Sequence, residues 1–191
     1  MLPFSKPTPF NLPEGYHEVT LQQFIHLHQQ ERGDVLALLE ALTGVPRATW
    51  MNVSAADYET KLLPQLEWMA TIPDFKSLPV PKIVTISGAE IQVPTQLNEL
   101  TWGQKLQFEL CLSQAWDEQG NIRYTMIPDA IAVYLADSKP YTDEKYEQMK
   151  TDVMQLPITI AYPVASFFLT GFLSCYRTNR NTYHENKSQR S

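Results

Sequence analysis

The sequence predicts a mainly α-helical fold: a multi-helix domain with one small β-hairpin at about residues 82–93 and extended N- and C-terminal arms. Three observations carry this expectation. Thr20 with Gln23 and Thr101 with Gln104 match the Thr-x-x-Gln box that caps helix N-termini. Alternating β-branched residues are confined to Lys82–Val93, around a Ser87-Gly88 turn. Four prolines (Pro3, Pro7, Pro9, Pro13) punctuate the beginning, where fixed φ and missing N–H donors disfavour a helix. The chain accordingly divides into a Pro-rich arm at 1–14, a helical domain with a hairpin insertion at 15–176 and a basic polar tail at 177–191.

Each element has its own local cause. After Thr20, residues Leu21, Phe24, Ile25 and His28 share one helical face, and Gly33 follows the helix. Asp34 caps a second helix with the stripe Val35, Leu38, Leu39 and Leu42, closed by Gly44. Pro46 to Met51 holds one turn. Ser54, with Asp57 three residues on, opens a third helix with Tyr58, Leu62, Leu66 and Met69, which Pro64 should kink or divide. Residues 71–81 contain Pro73, Pro79 and Pro81 and read as an extended connector.

The hairpin is too small to be stable alone, so its Ala89/Ile91/Val93 face must pack on helices or on another chain. Thr101 opens a helix through about Trp116 with Trp102, Leu106 and Leu110 on one side and Phe108, Cys111 and Leu112 on the other. Apolar residues on two sides predict a central position. A turn at Asp117–Asn121 leads to a helix from about Pro128 to Ala136. Thr142, followed by Asp143 and Glu144 in a favourable first turn, starts an amphipathic helix presenting Tyr146, Met149 and Val153. Pro157 opens a last apolar segment through Tyr176.

Composition narrows the function. With 43% hydrophobic and 19% charged among 191 residues, the chain can build a core and is not a disordered protein. A formal charge of -6 disfavours a generic nucleic-acid binder, although Arg177, Arg180, Lys187 and Arg190 stand against Glu185 alone at the end. No specific nucleic acid is expected. Cys111 and Cys175 form no C-x-x-C pair, which points to a reducing compartment without a disulfide scaffold or zinc ribbon. The first residues lack the charged and apolar regions of a signal peptide, so a cytosolic origin is expected.

The final uncharged run from Val153 to Tyr176 approaches the length of a membrane span. Pro163 and several small polar residues instead favour a buried core or interface helix anchored by Phe167, Phe168 and Phe172. A membrane-associated protein remains a distant alternative reading.

Catalytic signatures are lacking. No G-x-S-x-G, P-loop or H-E-x-x-H pattern occurs, and Ser54, Ser113 and the cysteines lack an activating context. His26 and His28 are two residues apart and point to different sides of a helix, unlike a metal-binding i, i+4 pair. Asp117 and Glu118 read as solvated turn residues. No enzyme activity, cofactor or metal is expected.

Several segments resemble a group of small virion-morphogenesis proteins of tailed bacteriophages infecting Bacteroidetes-type hosts. Leu12-Pro13-Glu14 with Thr20-Leu21 is similar to the group's opening and first helix start. Leu42-Thr43-Gly44-Val45-Pro46 resembles its turn after the second helix, and Ile86-Ser87-Gly88-Ala89-Glu90-Ile91 its glycine-centred hairpin. Leu100-Thr101-Trp102-Gly103-Gln104 is similar to its central helix start; Leu156-Pro157 and Phe167-Phe168-Leu169 resemble its closing helix. The arginine that often follows the central helix in that group is missing from Ala130–Ala136.

The resemblance implies a virion protein, present in host cytoplasm during assembly. Its expected role is a multi-copy ring, connector or tail subunit contacting copies of itself and portal, tail or tape-measure proteins. The alternative is a tail-assembly chaperone that binds the tape-measure protein, is absent from the mature particle and uses the last helix as a temporary apolar groove. Candidate interface residues are Pro7, Phe10, Ile91, Val93, Phe167, Phe168, Phe172, Arg177 and Arg180.

Overall fold

The structure is a computed structural model that describes residues 12–30, 33–94, 101–136 and 142–172. The expected arms, with Pro7, Phe10, Arg177 and Arg180, lie outside the described residues apart from Leu12–Glu14, as does Cys175 at the end of the expected helical domain. The fold is mainly helical with one two-stranded antiparallel sheet among the described residues. Two compact units meet in sequence between Pro73 and Asp74.

In the first unit, α1 (Leu21–Gln29) and α2 (Val35–Thr43) pack together, followed by the short α3 (Arg47–Trp50). The Thr20 hydroxyl accepts from Gln23 N, and Gln23 Oε1 accepts from Thr20 N at 2.8 Å, completing the expected box. The same carboxamide donates through Nε2 to Leu42 O at 2.6 Å, in the last turn of α2. One side chain thus satisfies an orphan donor at one helix start and an orphan acceptor at another helix end.

Asp34 caps α2 through Ala37 N and also pairs with Arg47 of α3 at 2.5 Å. Gly44 ends α2 at φ 69°, a left-handed conformation that an L side chain adopts only under strain. Leu12, Leu39, Trp50 and Leu62 form the buried centre of a local core.

Pro64 acts as its missing N–H requires. Ser54 caps the short α4 (Ala55–Asp57); the backbone then widens into a π-helical stretch, Tyr58–Leu62, and tightens to 3-10 geometry over Leu63–Ala70, with Pro64 in its first turn. The proline re-spaces the helix rather than ending it.

The second unit begins with a 3-10 turn, Phe75–Ser77, inside the segment expected to be wholly extended; Asp74 caps it through Lys76 N. Strands β1 (Ile83–Ile86) and β2 (Ala89–Gln92) pair in the register Val84↔Ile91 and Ile86↔Ala89. Ser87 at φ 50° and Gly88 at φ 80° give the doubly left-handed turn whose twist suits a two-residue hairpin. Burial falls on Val84, Ile86 and Val93. Ala89 is exposed and Ile91 half-buried, so β1 supplies most of the face the sequence assigned to β2.

Helix α5 (Trp102–Gln114) lies against α6 (Ile127–Leu135), which in turn packs on α7 (Asp143–Val153). The last helix, α8, spans described residues 158–172 and continues through Pro163. Phe168 stacks on Tyr134 of α6 with centroids 4.2 Å apart, and Phe172 meets Phe108 of α5 at 4.7 Å. Helix α6 is therefore central to this unit: its residues are buried except for the half-buried Asp129. Helix α5 buries Gln104, Phe108 and Cys111 but not its opposite side, which corrects the central placement expected of it.

Gln104 repeats the Gln23 device. Its Oε1 accepts from Thr101 N at 2.9 Å while Nε2 donates to Val133 O of α6 at 2.8 Å, and the residue is only 2% exposed. Gln104→Ala should lower unfolding free energy by about 2 kcal/mol, the combined effect of a lost cap and a stranded buried carbonyl. Gln104→Glu keeps the acceptor but loses the donor when ionised. Its deficit in urea denaturation should shrink as pH falls and the carboxyl gains a proton to donate.

Candidate interaction site

A half-buried polar cluster in the second unit joins α6 to α7. Asp129 Oδ1 accepts from the Tyr146 hydroxyl and from Lys150 Nζ, the latter at 2.9 Å. Burial, and then the hydrogen bond to Asp129, raise the Tyr146 phenol well above its usual range. Cys111 lies close by and directs its thiol to Met126 O at 3.8 Å. Burial, reinforced by the Asp129 charge, pushes that thiol up to about 12, the opposite of the electropositive setting that activates cysteine. The cluster neutralises the one acid that α6 carries. Among the described residues no three His, Cys, Asp or Glu side chains are grouped to hold a metal ion.

The turn acid Asp117 does more than meet solvent. Its Oδ1 accepts from Asn121 N at 2.7 Å and Gln119 N at 3.0 Å, and these bonds, led by the one from Asn121, hold its carboxyl below the usual range. They close the loop bracketed by the Trp116–Ile122 bridge. Nearby, Tyr162 is 6.2 Å from Tyr124 and 5.7 Å from Phe75, ring centroid to ring centroid, and burial raises its phenol to about 12.

The interface residues expected from sequence separate by burial. Phe168 and Phe172 are inside the chain, Phe168 completely, because α8 covers α5 and α6, and Val93 beside the hairpin is buried as well. Phe167 and Ile91 are half-buried, with Phe167 set 5.6 Å from the Phe168 ring. Among the described residues of the last helix, the rings of Phe168 and Phe172 therefore face the core, and Phe167 is half-buried.

Two other apolar surfaces are open instead. On α5, Trp102 is 70% exposed, Leu106 44% and Leu110 60%, at i, i+4 and i+8. Lys105 Nζ sits 5.6 Å above the Trp102 ring, a cation–π contact at the edge of this stripe. In the first unit, a groove of about 390 Å³ opens between α2, α3 and α4, lined by residues including Val35, Leu39, Trp50, Met51 and Tyr58. Met51, at its rim, is exposed.

Sequence periodicity found the α5 stripe but not its exposure, since a helix with two apolar sides has the same pattern whether both are covered within one chain or one waits for another chain. The groove has no sequence signal, being made where three short helices fail to close. No family model, curated protein or solved structure matches this chain.

The raised tyrosines fix the sign of the alkaline response. An unfolded tyrosine loses its proton near pH 10, whereas Tyr162 keeps it to about 12 and Tyr146 is also raised. Above pH 10 the unfolded chain binds fewer protons than the folded one, so stability is intact below about pH 10 and falls as pH rises through 12. Phenolate absorbance of these residues should appear together with loss of helical circular dichroism. In a Cys175→Ser background, Cys111 should react with a thiol reagent only at the rate of unfolding, since at pH 8 about one thiol in ten thousand is ionised.

Proposed function

We propose that the protein is a non-enzymatic assembly protein of a tailed-phage particle, a multi-copy ring, connector or tail subunit that works by packing against other polypeptides. The observation that carries this reading is the α5 stripe of Trp102, Leu106 and Leu110, more open to water than large apolar side chains on a self-sufficient helix would be. The likeness of its helix starts, glycine-centred hairpin and closing helix to the phage morphogenesis group supplies the setting.

The groove beside Trp50 favours a second reading, a tail-assembly chaperone holding an apolar segment of the tape-measure protein. An open trough lined by Val35, Leu39 and Met51 suits a helical guest that binds by its apolar face. The membrane-associated reading has less in its favour: no helix among the described residues is long and apolar enough to cross a bilayer.

Mass spectrometry of purified particles separates the two leading readings. A retained subunit should be present at a fixed multiple of the portal protein. The chaperone reading expects absence from particles and co-purification with the tape-measure protein during assembly, with Met51→Glu weakening that complex about tenfold or more. Absence from particles without such a complex overturns both.

A further inference from the structure

We propose that the exposed face of α5 pairs two copies of this chain, antiparallel, about a two-fold axis near Gln107. At about 100° per residue, Trp102, Leu106 and Leu110 fall within an arc of roughly 80°, and the exposed Ser113 extends the same face. The opposite side of the helix is occupied by its own unit through Phe108, Cys111 and Gln104. The stripe is therefore available without any rearrangement of the core. Gly103 borders it on one side and lets another backbone approach closely.

Charge selects the occupant and its direction. Lys105 and Glu109 lie on the same flank of the stripe, one turn apart; the other flank carries Gly103, Gln107 and Gln114, which have no charge. In an antiparallel pair of identical helices, like flanks face each other. Lys105 then meets Glu109 of the second copy, and Glu109 meets its Lys105, so each surface complements itself as a two-fold contact requires. In a parallel pair the charged flank would face the uncharged one and both ion pairs would be lost. Antiparallel pairing also sets the two helix dipoles in opposition, which is the favourable sense.

The face is small, so the pair should assemble reversibly and in proportion to concentration. This inference deepens the multi-copy part of the proposed function by naming a contact, and it uses the described residues of α5 alone. The two can fail separately. A dimer that is missing from purified particles overturns the virion reading and leaves the pairing intact. A monomer that is found in particles does the reverse.

Sedimentation equilibrium of the full chain, from low micromolar to submillimolar concentration, tests it. The wild type should pass from monomer to dimer, while Leu106→Glu should remain monomeric with an unchanged helical spectrum, because that side chain is outside the core. Lys105→Glu and Glu109→Lys should each weaken the dimer about tenfold by setting like charges opposite each other. An equimolar mixture of these two variants should restore wild-type affinity as a heterodimer, since each acid then faces a lysine. A wild type that stays monomeric overturns the proposal, as does a dimer unaffected by Leu106→Glu. A mixture no tighter than the separate variants overturns the antiparallel arrangement.

Discussion

Helix α6 has no polar face, and the second unit is organised around that constraint. A helix apolar all round must be enclosed on every side; here Ile127, Ile131, Val133 and Leu135 are buried together with the alanines between them. Helices α5 and α7 pack against it, and Phe168 of α8 stacks on its Tyr134. Two polar groups of α6 are met from those neighbours. Asp129 receives Tyr146 and Lys150 from α7, and the carbonyl of Val133 receives Gln104 from α5. Enclosure engages one face of α5, leaving the face around Leu106 outside.

Both units solve the same end problem with the same residue. A helix start has unsatisfied donors and a helix end unsatisfied acceptors, and a carboxamide is the side chain that can accept from one and donate to the other. Gln23 links Thr20 to Leu42, and Gln104 links Thr101 to Val133. Glutamate would complete either capping box equally well, yet an ionised carboxylate brought up to a second helix's carbonyl would repel it. The choice of glutamine at both positions is thus a tertiary requirement expressed in a local motif. It fixes the position of each helix relative to a neighbour while adding no buried charge.

The features legible in the sequence were those with local causes. The capping boxes, the Asp34 and Gly44 ends of α2, the Ser87-Gly88 turn and the disturbance at Pro64 each follow from chemistry within a few residues. Features set by residues far along the chain are not legible in the same way. Pro163 sits in the second turn of α8, where the loss is confined to one backbone bond and the buried face of the helix compensates, so the helix continues through it. The face marked by Ala89, Ile91 and Val93 is the buried one, because Ile91 and Ala89 pair with Val84 and Ile86, but how the burial divides between the two strands depends on what lies beneath the sheet.

The candidate interface illustrates the same limit with greater consequence. Phe168 and Phe172 attract attention as interface anchors because they are large, aromatic and near an unusual end of the chain, yet a protein of this size must first enclose a helix such as α6, and large rings on an uncharged helix are well suited to doing so. Fully burying one such side chain is favourable by roughly 1.5–3 kcal/mol, so an apolar group that can reach the core will be found there. Trp102, Leu106 and Leu110 could not reach it, for Phe108 and Cys111 already occupy the inward side of the same helix. Exposed apolar area is therefore more informative than apolar identity, and among the described residues it singles out the face of α5 on which the proposed pairing rests. The same reasoning explains the charged flank. A stripe left open to water needs a means of choosing among possible covers, and Lys105 with Glu109 supplies a polarity that only one orientation of an identical helix can match.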